Sequence, residues 1–391
     1  KIITTMAIDN KDKKILNVPH LRFPEFSGEW EIYPLTDFMS FKNGMNPDAK
    51  RFGRGTKFIS VMDILNNQFI CYDNIRASVE VVDGDIETYG VNYGDILFQR
   101  SSETLEDVGQ ANVYLDSKPA VFGGFVIRGK SKSNYYPMFF RYLLASPTAR
   151  KKIIVKGAGA QHFNIGQDGL SKVCLNIPSI QEQEKIAKLF ECIDTRIATQ
   201  NKIIEKLQSL IKGLRVCCMQ RVYGNNVYLS EIAQIYQPQT ISSTELTEDG
   251  FLVYGANGII GKYKDYNHET EQICITCRGN TCGMVNYTKP MSWITGNAMV
   301  INTDKYQDKV CKRYLYHYLS AYNFNSIISG SGQPQIVRTP LEKLKITLPT
   351  ISEQKQKAII FDKIQDKIDI NHKVLNLYIG QKQYLLRQMF I

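Results

Sequence analysis

The side chains best suited to reading a polar surface stand in two short loops, each directly after an apolar run. Gln99-Arg100-Ser101-Ser102 follows Asp95–Phe98, and Arg278-Gly279-Asn280 follows Ile273–Thr276. Arg and Lys pair with guanine, and Asn and Gln with adenine, so such loops carry groups that hydrogen-bond base edges. Basic groups and backbone N–H add phosphate contacts, which position without specifying. Arg100 and Arg278 are expected at corresponding places; the alternative for each is an ion pair inside its own domain. A second set lies on glycine-rich backbone. Gly157–Gln161 leads to His162 and Asn164, and Gly330–Gln335, with Gln333, leads to Arg338. The alternative for these loops is a structural turn between a helix and a closing strand. Lys42 and Asn43 before Gly44, and Asn257 and Lys262 around Gly258 and Gly261, complete the candidates. Tyr254 and Tyr263 either stack on a base or pack in the core.

Other chemistries are poorly supported. Cys274, Cys277 and Cys282 with His268 have partial zinc spacing. The matching strand of the first half is expected to carry Ile96 and Gln99 where Cys274 and Cys277 stand, so a structural metal is not expected. Gly255 to Lys262 resembles a phosphate-binding loop, but five residues separate Gly255 from Gly261 and Tyr263 replaces Ser or Thr. There is no Asn-Pro-Pro-aromatic methyltransferase motif, no dinucleotide fingerprint and no evident catalytic constellation among five histidines. A binding chain without chemistry of its own is expected.

These loops must be held by something, and the chain repeats its frame. Residues 170–207 and 341–378 align without a gap at an offset of 171. Leu170, Pro178, Glu182, Gln183, Ala187, Phe190 and Ile193 meet Leu341, Pro349, Glu353, Gln354, Ala358, Phe361 and Ile364. That period far exceeds the roughly 20–50 residues of solenoid or propeller units, so it marks a duplicated half-protein. Arg141-Tyr142-Leu143 and Arg313-Tyr314-Leu315 extend the duplication into the segments before each copy.

Each copy starts with a short strand closed by proline, Val173–Pro178 or Leu344–Pro349. Glu182 and Glu353 follow in a first helical turn, where acid favours the helix dipole, with Ser352 expected as a cap. Then Ile186, Phe190, Ile193, Ile197, Gln200, Ile204, Leu207, Ile211 and Leu214 form a heptad seam. Phe361, Ile364, Ile368, Asn371, Leu375, Tyr378, Lys382 and Leu385 form the second. Gln200 and Asn371 interrupt the seams at matching positions. They are expected to meet in a two-helix coil and set its register, the alternative being two tolerated polar residues. Helices of about 40 residues span ~60 Å at 1.5 Å per residue. An antiparallel pair lets the intervening segment begin and end at one end of the coil, giving a dumbbell. Strands are expected at Lys57–Val61, Gly94–Phe98, Val121–Ile127, Gln272–Thr276 and Ala298–Ile301.

The boundaries expected are a flexible lead-in at 1–14, a first globular domain at 15–178 and its repeat helix at 179–222. A second domain at 223–349 and a second repeat helix at 350–391 follow. The class is α+β: two mixed α/β domains joined by a long antiparallel coil, pseudo-two-fold symmetric.

The net charge of +10 invites a nucleic-acid partner, yet it is unevenly placed. Residues 1–170 carry 21 basic and 19 acidic groups, and 223–340 carry 9 and 9. The repeat segments 171–222 and 341–391 each carry 9 and 5, so the excess lies on the frame. Nine cysteines, an odd number, do not suggest a disulfide set, and no apolar run reaches the roughly 18 residues of a membrane span. The expected location is cytoplasmic, and residues 1–12 lack the apolar core of a signal peptide.

The chain resembles the specificity subunit of type I restriction–modification systems along nearly its whole length. The residues carrying the resemblance are Gly94-Asp95-Ile96-Leu97, Gly330–Ile336, Tyr254–Gly261, and the Ile177–Gln183 and Leu348–Gln354 starts of the long helices. The helix end at Arg215–Met219 is less regular than Tyr384–Met389, which leaves the boundary near 215–223 open. The resemblance implies two target recognition domains, each reading half of a bipartite double-stranded DNA sequence, with the coil setting the spacer. It implies two methyltransferase subunits docked on the coil, which bring S-adenosylmethionine. It also implies restriction subunits that bring ATP and Mg. No cofactor is expected on this chain. A scaffold for two copies of a protein partner is the rival reading, and divergence between the domains argues against it.

Overall fold

The computed structural model describes residues 4–5, 17–132, 135–159, 161–220, 222–256, 258–330 and 332–391. Of the lead-in expected at 1–14, Thr4–Thr5 pairs antiparallel with Leu21–Arg22, and the rest lies outside the described residues. The chain divides into two units, residues 1–200 with 374–391, and residues 201–373.

In the first unit a four-stranded antiparallel sheet runs in the order Met39–Asn43, Val126–Ser131, Ile96–Gln99, Ala111–Val113. Every residue of Ile96–Gln99 is buried, so Ile96, Leu97 and Phe98 read as a continuous apolar run rather than an alternating one. A second sheet sets Phe52–Ile59 between parallel Val121–Phe122 and antiparallel Ser78–Val79. The single strand expected at Val121–Ile127 is therefore two strands in different sheets. Gly123 and Gly124 divide it, and a turn bond from Val126 N to Gly123 O (2.9 Å) redirects the chain.

The second unit repeats this plan. Its four-stranded sheet runs Gln234–Tyr236, Ala298–Asn302, Ile273–Thr276, Val285–Tyr287, and its other sheet sets Phe251–Gly255 between Gly258–Tyr263 and parallel Trp293–Ile294. The closing strands pair as their prolines suggest: Cys174–Ile177 with Glu31–Pro34, and Lys345–Leu348 with Asn225–Tyr228.

Two long helices follow the closing strands, Ile180–Gln220 (41 residues) and Ile351–Gln388 (38 residues). The first thus continues past the irregular Arg215–Met219 stretch. Within the first unit the helices are antiparallel. Phe190 meets Phe390 at 5.7 Å between ring centroids, Asp194 pairs with Lys382 at 2.5 Å, and Arg196 lies over Tyr378. Asp194 explains why a lysine sits in an apolar seam, and it also accepts a bond from the Tyr142 hydroxyl (2.9 Å). The second unit is antiparallel in the same sense. Lys357 Nζ donates to Cys218 O (3.3 Å), and Phe361 and Ile368 share a core with Ile211.

The repeated Glu-Gln pair divides its work. Gln183 and Gln354 are the duplicated clamp. Gln183 donates to Pro178 O (2.9 Å) and accepts from Tyr136 N (3.1 Å), while Gln354 donates to Pro349 O (2.9 Å) and accepts from Cys311 N (2.9 Å). Each buried amide ties the start of a long helix to the start of the aromatic helix before it, Pro137–Ala145 or Lys312–Ala321. The glutamates differ. Glu182 is buried and forms a two-point pair with Arg22, at 2.8 Å for each bond. Glu353 is exposed and accepts from Thr350 N (3.0 Å) and its hydroxyl (2.7 Å). Thr350, not Ser352, is therefore the capping partner, because the helix already begins at Ile351.

Candidate nucleic-acid interface

In the first unit the two candidate loops meet. Ser101–Ser102 pairs antiparallel with Phe163–Asn164, and the Ser101 hydroxyl donates to Asn164 Oδ1. The Ser102 hydroxyl accepts from Thr104 N (3.3 Å). Gly159 adopts φ +144°, and a Cβ there would strike the His162 carbonyl, so the loop needs glycine at that point. Gln161, His162 and Asn164 are exposed, with the Asn164 amide donating to His162 O (3.3 Å). Arg100 is half-buried; its Nη1 donates to Gly124 O (3.2 Å) and its N to Phe125 O (2.9 Å). Across the strand that starts at Val126, Gly44 N donates to Val126 O (3.2 Å), which brings Asn43 alongside. Asn43 Oδ1 is a buried acceptor with no partner among the described residues. Lys42 is exposed and its Nζ lies 5.4 Å over the Tyr89 ring.

The second unit builds the same junction. Arg278 forms an antiparallel bridge with Gln335, and Gly279 N donates to Pro334 O (3.0 Å). Arg278, Asn280, Gln333 and Gln335 are all exposed, and Arg278 makes no ion pair among the described residues. Thr276 and Thr281 hydroxyls donate to Ala256 O (2.7 and 2.8 Å), so the turn after Phe251–Gly255 leans over the Arg278 loop. Asn257, in that turn, lies outside the described residues. Lys262 sits at the far end of its strand, about 13 Å away at ~3.3 Å per residue, with Asp249 at 3.5 Å. Arg338 is held by Glu342 (2.6 Å) one helical turn along. The structure gathers neither Lys262 nor Arg338 with Arg278. Tyr254 is buried and Tyr263 packs edge-on against Trp293 at 5.0 Å, so both pack.

Arg100 and Arg278 are not equivalent. Gln99 pairs with Val126 and exchanges bonds with the hairpin at Gly109 and Gln110; Thr276 pairs with Ala298 and does the same with Gly283 and Met284. Arg100 N donates to Phe125 O and its carbonyl accepts from Ile165 N, as Cys277 does with Asn297 and Ile336. Arg100 thus matches Cys277, and Ser101 matches Arg278. Likewise Leu97 and Arg100, not Ile96 and Gln99, occupy the places of Cys274 and Cys277. In extended backbone one residue turns a side chain to the other face, so the two arginines serve different faces.

The comparisons with known proteins agree with this geometry. The family profile described as type I restriction modification DNA specificity domain matches residues 27–209 and again 225–377. The chain belongs to this specificity family. A putative type I restriction enzyme MjaX specificity subunit of Methanocaldococcus jannaschii is 25% identical over 399 residues, covering 89% of this chain and 90% of the relative. The EcoprrI specificity subunit of Escherichia coli is 31% identical over 147 residues, 36% of each chain. The crystal structure of the type I system S subunit from M. genitalium superposes with TM-score 0.60 at 15% identity, covering 96% of this chain and 99% of that one.

Residues outside the candidate sets also surround the same junctions. Gln237 Nε2 donates to Gly296 O (3.1 Å) and contacts Cys277 Sγ (3.2 Å). Phe125, directly after Gly123 and Gly124, is 69% exposed. An aromatic after paired glycines was the available signal. Burial pushes the Cys274 thiol up to about 12 and also raises Cys277, so neither thiol is poised as a ligand or nucleophile. His268 is bonded to Tyr236 and Asn267, and burial holds its pKa below the usual value. Among the described residues no group of three or more His, Cys, Asp or Glu is placed to hold a metal. No described helix is long and apolar enough to cross a membrane.

Proposed function

We propose that this specificity chain reads a bipartite DNA target, one half per unit, and directs adenine methylation and restriction by partner subunits. The observation that carries this is the twice-built junction of a post-strand loop and a glycine loop, with different exposed side chains on each. The first unit presents Arg100, Ser101, Ser102, Gln161, His162 and Asn164, with Lys42 and Asn43 alongside. The second presents Arg278, Asn280, Gln333 and Gln335, with Lys262 and Arg338 as outlying contacts and Asn257 as a further candidate. The helices set the spacer between half-sites. Gln200 is buried in its seam and Asn371 donates to Lys367 O (2.6 Å) within its own helix.

The chain itself is non-catalytic. Two methyltransferase subunits dock on it and carry S-adenosylmethionine, and restriction subunits carry ATP and Mg. The segments that hold the reading loops are nearly neutral, so tight binding draws on the partners' phosphate contacts as well. Nine free cysteines suit a reducing cytoplasm.

Inserting one heptad into each seam, within 186–214 and 361–385, tests the ruler. It adds about 10.5 Å, so methylation sequencing should find the spacer longer by about 3 base pairs, with both half-sequences unchanged. An unchanged spacer or altered half-sequences would sink the ruler.

A further inference from the structure

We infer that an apolar groove beside Arg100 takes the 5-methyl group of a thymine in the half-site read by the first unit. The inference rests on the DNA-reading role proposed above and names one base feature that this unit selects.

The groove has a volume of about 380 Å³ and lies around Gly123 and Gly124, walled by Met45, Phe52, Phe58, Met62 and Phe125. Phe125 is 69% exposed, Met62 62% and Phe52 42%, a contiguous apolar patch of the kind that marks a partner. Its floor depends on glycine. A Cβ on Gly123 would come within 2.6 Å of the Phe58 ring, so any side chain there would fill the space above that ring.

The occupant follows from what borders the groove. Arg100 directly follows the strand Ile96–Gln99 and Phe125 directly precedes the strand Val126–Ser131, and the two are joined by the bond from Arg100 N to Phe125 O (2.9 Å). Arg100 Nη1 also reaches the groove's own rim at Gly124 O (3.2 Å). A donor fork and an apolar wall thus stand side by side. In the major groove thymine offers an acceptor, O4, next to its C5 methyl, whereas cytosine offers a donor and no methyl. The pairing of donor and apolar wall fits thymine and rejects cytosine.

The second unit shows that the groove is not part of the frame. Its counterpart of Phe125 is Asn297, whose carbonyl accepts from Cys277 N (3.0 Å). Where the first unit has a ring beside a guanidinium, the second has an amide beside a thiol.

The test uses the full chain in complex with its methyltransferase, after methylation sequencing has given the target. Duplexes carrying that target are made with each thymine replaced in turn by deoxyuridine, which lacks only the methyl. Binding should weaken about three- to tenfold at a thymine of one half-site, the scale of one lost methyl contact. Phe125→Ala should erase that thymine-over-uracil preference and leave the other half-site unaffected, while Phe125→Leu should keep part of it. Equal binding of every uracil duplex would overturn the inference, as would a preference that survives Phe125→Ala unchanged. Failure of the unsubstituted complex to bind any target selectively would overturn the DNA-reading role itself, a separate outcome.

Discussion

The two units share strand order, closing strand and buried glutamine clamp, yet their exposed junctions have almost no side chain in common. Gln183 and Gln354 share two bonds that agree to within a few tenths of an ångström, and Gln354 adds one to Lys309 O (3.2 Å). Arg278 stands where the first unit has Ser101, and Phe125 stands where the second has Asn297. The parts that set geometry are alike in the two units, and the parts that differ are the exposed loops proposed to touch DNA. A surface kept for one repeated ligand would not diverge in this way.

The units also differ in how they are closed, and this yields the largest expected effect. Phe390 packs on Trp30, Phe139 and Phe190 in the first unit. Phe390→Ala should cost about 3–5 kcal/mol, the usual range for a buried Phe, measured by chemical denaturation. A loss below about 1 kcal/mol would show that the chain end is not part of that core.

The clamp predicts symmetry. Gln183→Ala and Gln354→Ala should each destabilise by about 1–3 kcal/mol, the cost of leaving buried partners unsatisfied. Markedly unequal losses would break the equivalence of the two frames.

The reading loops predict asymmetry. Arg278→Ala should relax discrimination in one half-site by about 1–3 kcal/mol. Arg100→Ala should have a smaller effect on base choice, since Arg100 already donates to Gly124 O. Equal, sequence-independent weakening by both would instead mark phosphate contacts.

Much of this frame was legible before the structure. A gapless repeat with apolar heptads announces two antiparallel helices, and the Glu-Gln pair marks where they begin. What was not legible depends on partners distant in sequence. The match of Arg100 to Arg278 was off by one, because loops of different composition carry no periodic signal to set their register. Arg278 is exposed, as a candidate reader must be, but nothing in the sequence marks Gln335, in a separate candidate loop, as its bridge partner. Asp194 answers Lys382 from 188 residues away, so nothing local in the seam announces the lysine's partner. The groove at Phe125 was hidden because four separate segments of the chain build it. Gly123 and Gly124 looked like part of one strand.

The smallest expected effect is pH-dependent and confined to the second unit. Burial alone would raise the Asp362 carboxyl, but bonds from His317 (2.8 Å) and Arg313 (2.9 Å) hold it below its ordinary value. Its stabilisation is therefore complete above the ordinary carboxylate pKa of about 3.9 and is lost as pH falls through the lowered value. Asp362→Asn should flatten that acid-side loss, read as Tm against pH, by about 1 kcal/mol. A steeper loss in the variant would contradict the assignment.

The central claim, one half-site per unit, is tested most directly by replacing residues 225–349 with those of another family member. Adenine methylation would then be sequenced in a host expressing the methyltransferase. The account predicts a bipartite motif in which one half changes while the other half and the spacer stay fixed. A single contiguous motif, or a change in both halves, would contradict it.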